Sequence, residues 1–165
     1  MSLAAYIDGD DDKVRGIAAK LGDRVNVQNA LVIRARAPDS TFAHSDVLAS
    51  VLRFHDNEVE VANLYHNGGH FFLAKEREES DLLIGLGMLD AALARYGIEY
   101  NWHHRGAVHY WRSQIIERIL DKSAALEPAR ESLYYWTQQC ILDPETKRHR
   151  EQLQNVVQHL EKLLS

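Results

Sequence analysis

Apolar residues along this chain recur in two rhythms, every second residue in some stretches and every third or fourth in others. The rhythm assigns each stretch to strand or helix. "LAAYI" at 3–7 runs into "DGDDD", which predicts a buried strand leaving through a turn. A helix is expected next: Val14, Ile17, Ala18 and Leu21 fall at helical spacing, acids crowd the first turn, and Gly22 suits a left-handed stop. "VNVQNALVIRAR" (25–36) fits strand or helix, and its β-branched residues and the following Pro38 tilt it to strand. Between Ser40 and Phe54 the apolar positions Phe42, Val47, Leu48, Val51 and Leu52 make an amphipathic helix.

The stretch "NLYHNGGHFFLAKE" (63–76) sets Asn67-Gly68 between apolar runs. Asn-Gly accepts the positive φ of a type I′ turn, so a β-hairpin over 58–75 is expected. In that register Leu64, Phe71, Ala62 and Leu73 share the core face, and His70 lies beside Tyr65 on the mixed face. "SDLLIGLGMLDAALARY" (80–96) predicts a buried helix with Ser80 as N-cap and Gly97 as its stop, and "IEYNWHH" (98–104) a further strand. After Gly106 the pattern is helical only. Val108, Trp111, Ile115 and Ile119 form one stripe, Pro128 is placed to open a helix, and Asp143-Pro144 another. Leu153, Val156, Leu160 and Leu163 form a seam too short for a coiled coil. The expected fold is α+β: a mixed or antiparallel sheet of four to five strands with covering helices, residues 1–106, and a C-terminal helical extension, 107–165, packed on it.

Composition narrows the function classes. A chain of 165 residues with 45% hydrophobic and 26% charged residues is an ordinary globular protein. Its 24 acids against 19 bases, without a basic run, disfavour non-specific nucleic-acid binding. Cys140 is the only cysteine, so a cytoplasmic, reducing setting is the simplest expectation. No apolar stretch approaches the roughly 18 residues of a membrane span.

Candidate chemistry concentrates in two places. Asp8 and Asp10 follow a predicted strand, where carboxylates offer hard oxygen ligands to Mg²⁺ or Mn²⁺; equally, acids there cap a helix and offset its dipole. Lys13 and Ala19 stand where a calcium EF-hand loop needs Gly and Glu, which excludes that site. Of the nine histidines, His66, His70 and His103 are the ligand candidates. On a hairpin His66 and His70 do not share a face as they would on a helix, so zinc-protease logic does not apply. Cys140, within an aromatic segment, is expected to be a packed thiol.

"YIDGDD" before a helix, with "NGGHFFLA" about 60 residues later, resembles the palm of nucleotidyl cyclases and CRISPR-type polymerases over about residues 3–105. In that family both motifs hold metal ions that align a nucleoside triphosphate. The resemblance implies that Asp8 and Asp10 match the first metal motif, Gly68 and Gly69 the paired glycines, and His70 the first hairpin acid. His70-Phe71 replaces two acids, however, and imidazole is a poor Mg²⁺ ligand. The implied protein is a degenerate palm that binds a nucleotide or partner without the usual catalysis.

The leading expectation is therefore a binding or regulatory domain with no certain cofactor, whose C-terminal helices meet a protein partner or a second copy. One alternative is a divalent-metal-dependent phosphoryl or nucleotidyl enzyme using Asp8, Asp10 and the candidate catalytic His70. Another is a His/Asp transition-metal hydrolase. Gly68, Gly69, His66 and His103 are the candidate ligand-binding residues.

Overall fold

A computed structural model describes residues 9–97 and 101–165. Among the described residues there are eight helices and no strand, so the expected α+β sheet is replaced by an all-helical architecture. The chain divides into two compact units, Met1–Arg95 and Tyr96–Ser165. The predicted strand at 3–7 and residues 98–100 of the predicted late strand lie outside the described residues. The rest of that late strand, from Trp102, is helical.

Unit 1 contains α1 (Asp11–Lys20), α2 (Val25–Ala35), α3 (His44–Leu52), α4 (Val59–Ala74) and α5 (Glu79–Arg95). The entry to α1 follows from its acids. Asp10 is the N-cap and accepts a hydrogen bond from Lys13 N at 3.0 Å, while Asp12 sits in the positive first turn. Asp11 turns inward to Arg34 of α2 (2.9 Å) and accepts from the backbone N–H and hydroxyl of Thr41. Arg34 also holds exposed Asp39 at 3.0 Å, so a buried cation is matched on two sides. Burial alone would raise the Asp11 pKa, but Thr41 and Arg34 hold the carboxyl below its ordinary value.

Two predicted strands are helices. In 25–36, Val27, Ala30, Leu31, Arg34 and Ala35 are buried at spacings of three and four, so tertiary burial of one face outweighs β-branched propensity. The expected hairpin at 58–75 is α4, the central helix of the unit, which packs on α2, α3 and α5. Its residues Val61, Ala62, Leu64, Tyr65, Phe71, Phe72 and Leu73 are all buried.

Asn67-Gly68-Gly69 is the reason α4 can be enclosed. A Cβ at Gly69 would stand 2.5 Å from Leu89 Cδ2 and 3.0 Å from the Gly85 carbonyl oxygen, so this glycine lets α5 approach the α4 backbone. A Cβ at Gly68 would meet Val51 of α3 at 2.8 Å and Met88 of α5 at 2.9 Å. Asn67 accepts from Arg36 Nη1 at 2.6 Å and donates to Asn29 Oδ1 at 2.8 Å, tying α4 to α2 and the segment behind it. A predicted chain reversal is thus a three-sided helix crossing. Gly22 is not a left-handed stop either: among the described residues only Gly9 has positive φ, at 87°.

Helix α5 begins at Glu79 rather than after a Ser80 cap. Its entrance is closed by buried Asp81, whose Oδ2 accepts from Arg77 N at 2.9 Å and Glu78 N at 3.3 Å. His44 Nε2 donates to the Lys75 carbonyl at 2.6 Å, which ties the start of α3 to the end of α4, and its ring meets Phe71 and Phe72 edge-on.

Unit 2 stacks α6 (Trp102–Ile119), α7 (Lys122–Leu142) and α8 (Lys147–Leu164), with α7 packed against both others. Asp121 caps α7 through Ala124 N at 2.8 Å. Pro128 lies inside α7 and does not open it. Next to the carbonyl that proline leaves without a helical donor, fully buried Ser113 donates to Ala125 O at 2.8 Å. Thr146, not Asp143, precedes α8. The predicted seam is real: Val156, Leu160 and Leu163 bury against Ala125, Ala129 and Trp136, with Leu153 at its edge. No helix among the described residues is long and apolar enough to cross a membrane.

Candidate functional site

The residues singled out from the sequence do not form one centre. Asp8 lies outside the described residues, and Asp10 is spent on the α1 N-cap. Gly68 and Gly69 are packing positions inside α4. His66 and His70 sit one turn apart on that helix, so the spacing that a hairpin would have split shares one helical face. His66 is buried and His70 half-buried. Burial, helped by the charge of Arg36, pushes the His70 imidazole down to about 4, which keeps it neutral near pH 7. Among the described residues no three His, Cys, Asp or Glu side chains are arranged to hold a metal ion.

His103 belongs to unit 2, in an aromatic cluster at the start of α6. Its ring centroid is 3.9 Å from His104 and 6.1 Å from His149, and Tyr96 stacks on His104 at 5.1 Å. Burial lowers the pKa of His103, with His149 adding to the effect, and holds His104 at about 4. His149 also lies 3.5 Å from Asp143 and packs on Trp136 at 5.8 Å. A Ser/His contact deeper in the unit is structural. Ser113 gives its only proton to Ala125 O, so it must accept from His159 Nε2 at 2.8 Å, the reverse of what an activated nucleophile needs. Burial likewise raises the Cys140 thiol pKa and leaves it unactivated.

The concave feature best suited to a ligand is one the sequence did not single out. It lies in unit 1 among α1, α2 and α3, and has a volume of about 400 Å³. Ala18 and Ala19 of α1, Leu31 of α2, Phe42 just before α3 and Ala49 of α3 give it apolar walls. Its two buried polar side chains satisfy each other: Ser50 donates to Gln28 Oε1 at 2.6 Å, and Gln28 Nε2 donates to Gly22 O at 3.3 Å. The floor therefore presents little unmet polarity.

Two arginines stand at the rim. Arg15 lies over the Phe42 ring at 4.5 Å and is fixed by Asp12 at 3.0 Å and by the hydroxyl and carbonyl of Thr41. Arg53, just past α3, rests its guanidinium over Gly22, where a Cβ would come within 2.7 Å of Nη1. Among the described residues it makes no hydrogen bond or ion pair. Asp46, the acid in the lining, already caps α3 through Ala43 N at 2.9 Å. A second groove, between α6 and α8, is lined by polar groups such as Gln114, Asn155 and Gln158, and of its charged residues Glu117, Arg118 and Lys162 the first and last pair at 3.7 Å.

Arg15 and Arg53 are 38 positions apart, and only the packing of α1 against α2 and α2 against α3 brings them to one mouth. No local motif announces such a site. Compared with protein-family models, curated proteins and solved structures, the chain matches none.

Proposed function

We propose that this chain is a binding domain whose ligand is a small molecule with an apolar body, taken up in the cleft between α1, α2 and α3. The observation that carries this reading is the cleft's construction, with apolar walls over a floor whose polar groups are already paired. Its volume lies in the range of about 300–1,000 Å³ found for small-molecule sites. Binding rather than catalysis is favoured because the groups with catalytic potential are committed elsewhere. Asp10 caps a helix, Asp11 holds Arg34, and Ser113 is enclosed with its proton given away.

Ala49 offers the test. It is exposed yet lines the cleft, so Ala49→Trp fills the space without entering the core. A neutral polarity-sensitive dye such as Nile red gains fluorescence with the wild-type chain. The variant, with unchanged circular dichroism, loses that gain. Equal dye binding by both chains, or none by the wild type, overturns the reading.

A further inference from the structure

We infer that the ligand of the α1–α2–α3 cleft is a single-headed anionic amphiphile, its carboxylate or phosphate held by Arg53 and its apolar tail laid along Ala18, Leu31 and Phe42. The inference rests on the binding reading above and adds the charge of the ligand. Its basis is the contrast between the two rim arginines. Arg15 uses its donors on Asp12 and Thr41, and its flat face covers Phe42, so it acts as a wall. Among the described residues Arg53 has all five N–H donors uncommitted, in a fork that matches two oxygens of an oxyanion.

Gly22 sets the placement. Any side chain there would push into Arg53 Nη1 at 2.7 Å, and into the Ala18 carbonyl oxygen at 2.9 Å. The missing Cβ thus lets the guanidinium come close to the Gly22 backbone, whose carbonyl receives Gln28. Charge complementarity selects the sign. The lining carries two arginines and one aspartate, a local cationic excess in a chain of net charge −5. A cationic head would find Arg53 repelling it. A neutral one would leave the fork unused.

Octanoate and octanol, which share a chain and differ in head charge, separate the possibilities when each competes with the neutral dye. The wild type should prefer octanoate by about tenfold or more, the scale of a charge-assisted hydrogen bond. Arg53→Gln, at an exposed site, should abolish that preference and leave octanol unchanged. Added salt should weaken octanoate alone. Octyl phosphate in place of octanoate tells a phosphate head from a carboxylate. Equal competition by octanoate and octanol in the wild type, or an octanoate preference that survives Arg53→Gln, overturns the inference while the binding reading stands. Failure of both compounds and of the dye overturns the binding reading itself.

Discussion

Unit 1 fills its interior around α4 with Phe71, Phe72, Leu64 and Leu89, each at most 1% exposed, whereas unit 2 closes over Trp136, small alanines and hydrogen-bonded polar groups. In unit 2 Ser113 and Ser132 are fully buried, and both donate to backbone carbonyls, Ala125 O at 2.8 Å and Gly106 O at 2.6 Å. His109 and His159 are buried there as well. The difference teaches that two helical assemblies in one chain can draw stability from different sources. Unit 1 depends on apolar volume and close approach, whereas unit 2 combines its apolar cluster with buried serines and with more imidazoles whose pKa burial lowers. Conditions that stress one source should therefore not stress the other equally.

The largest expected effect tests the apolar side of that contrast. Phe72→Ala removes a ring that is 1% exposed, on a helix enclosed by α2, α3 and α5. Loss of transfer energy plus the cavity should cost about 3–5 kcal/mol. Urea denaturation followed by far-ultraviolet circular dichroism measures it. A cost below about 1 kcal/mol would mean that the interior around α4 collapses freely, and the contrast with unit 2 would lose its basis.

Close approach is the second source, and glycines resolve it by sign. Gly69→Ala drives a methyl into Leu89 and the Gly85 carbonyl, and since backbone cannot yield cheaply the cost should be about 1–3 kcal/mol. Gly87→Ala, on the same pair of helices, meets nothing within 4 Å. There the gain in helix propensity should stabilise by roughly 0.5–1 kcal/mol. Thermal melts of the two variants should move in opposite directions. A shared direction would show that the α4–α5 crossing does not depend on close approach at Gly69.

Those glycines also explain what was legible in the sequence. Helices whose buried face is a stripe against a polar back were readable: α1, α3 and α8 all appear where Val14, Val47 and Leu160 mark their apolar spacing. Helix α4 was not, because it shows no polar back to set the period and carries Asn67-Gly68, a turn signal, in its middle. Val61, Leu64, Gly68, Phe71 and Phe72 do follow a spacing of three and four, but only if glycine is counted as a core residue. Asn67-Gly68 obeys turn chemistry and crossing chemistry alike, and the deciding contacts, Asn29, Arg36, Val51 and Leu89, are distant in sequence. Helix α2 misled through Val25, Val27, Val32 and Ile33, whose strand preference is a weak prior that packing overrides. The cleft was less legible still. Arg53 is set apart by having no acidic partner among the described residues, and a missing contact has no signature in a linear string.

Acid sharpens the comparison between the units. Burial holds His104 and His109 in unit 2 at about 4, and lowers His103 and His159 as well. In an unfolded chain these imidazoles titrate near 6.5. Between those values the unfolded state binds protons that the folded state refuses, so the stability from neutral imidazoles is intact above about pH 6.5 and drains as pH falls toward 4. Each fully linked histidine contributes at most about 1.4 kcal/mol per pH unit, and His104 less because solvent still reaches it. Unit 1 has His70 in this window, also at about 4. Its lowered carboxylates, Asp11 and Asp39, act elsewhere. Their contribution is present above the unfolded carboxylate value of 3.8 and is lost only as pH drops below it. Amide hydrogen exchange on peptides from α4 and α7 resolves the two, and Trp102, Trp111 and Trp136 confine intrinsic tryptophan emission to unit 2. Protection in α7 should fall first, between pH 6.5 and 4, and His109→Gln should flatten that fall, because the imidazole stacked on Tyr135 and faced by Arg105 and Arg112 can then no longer gain a charge. Simultaneous loss in α4 and α7, or an unaltered profile in His109→Gln, would show that buried imidazoles do not set unit 2 apart.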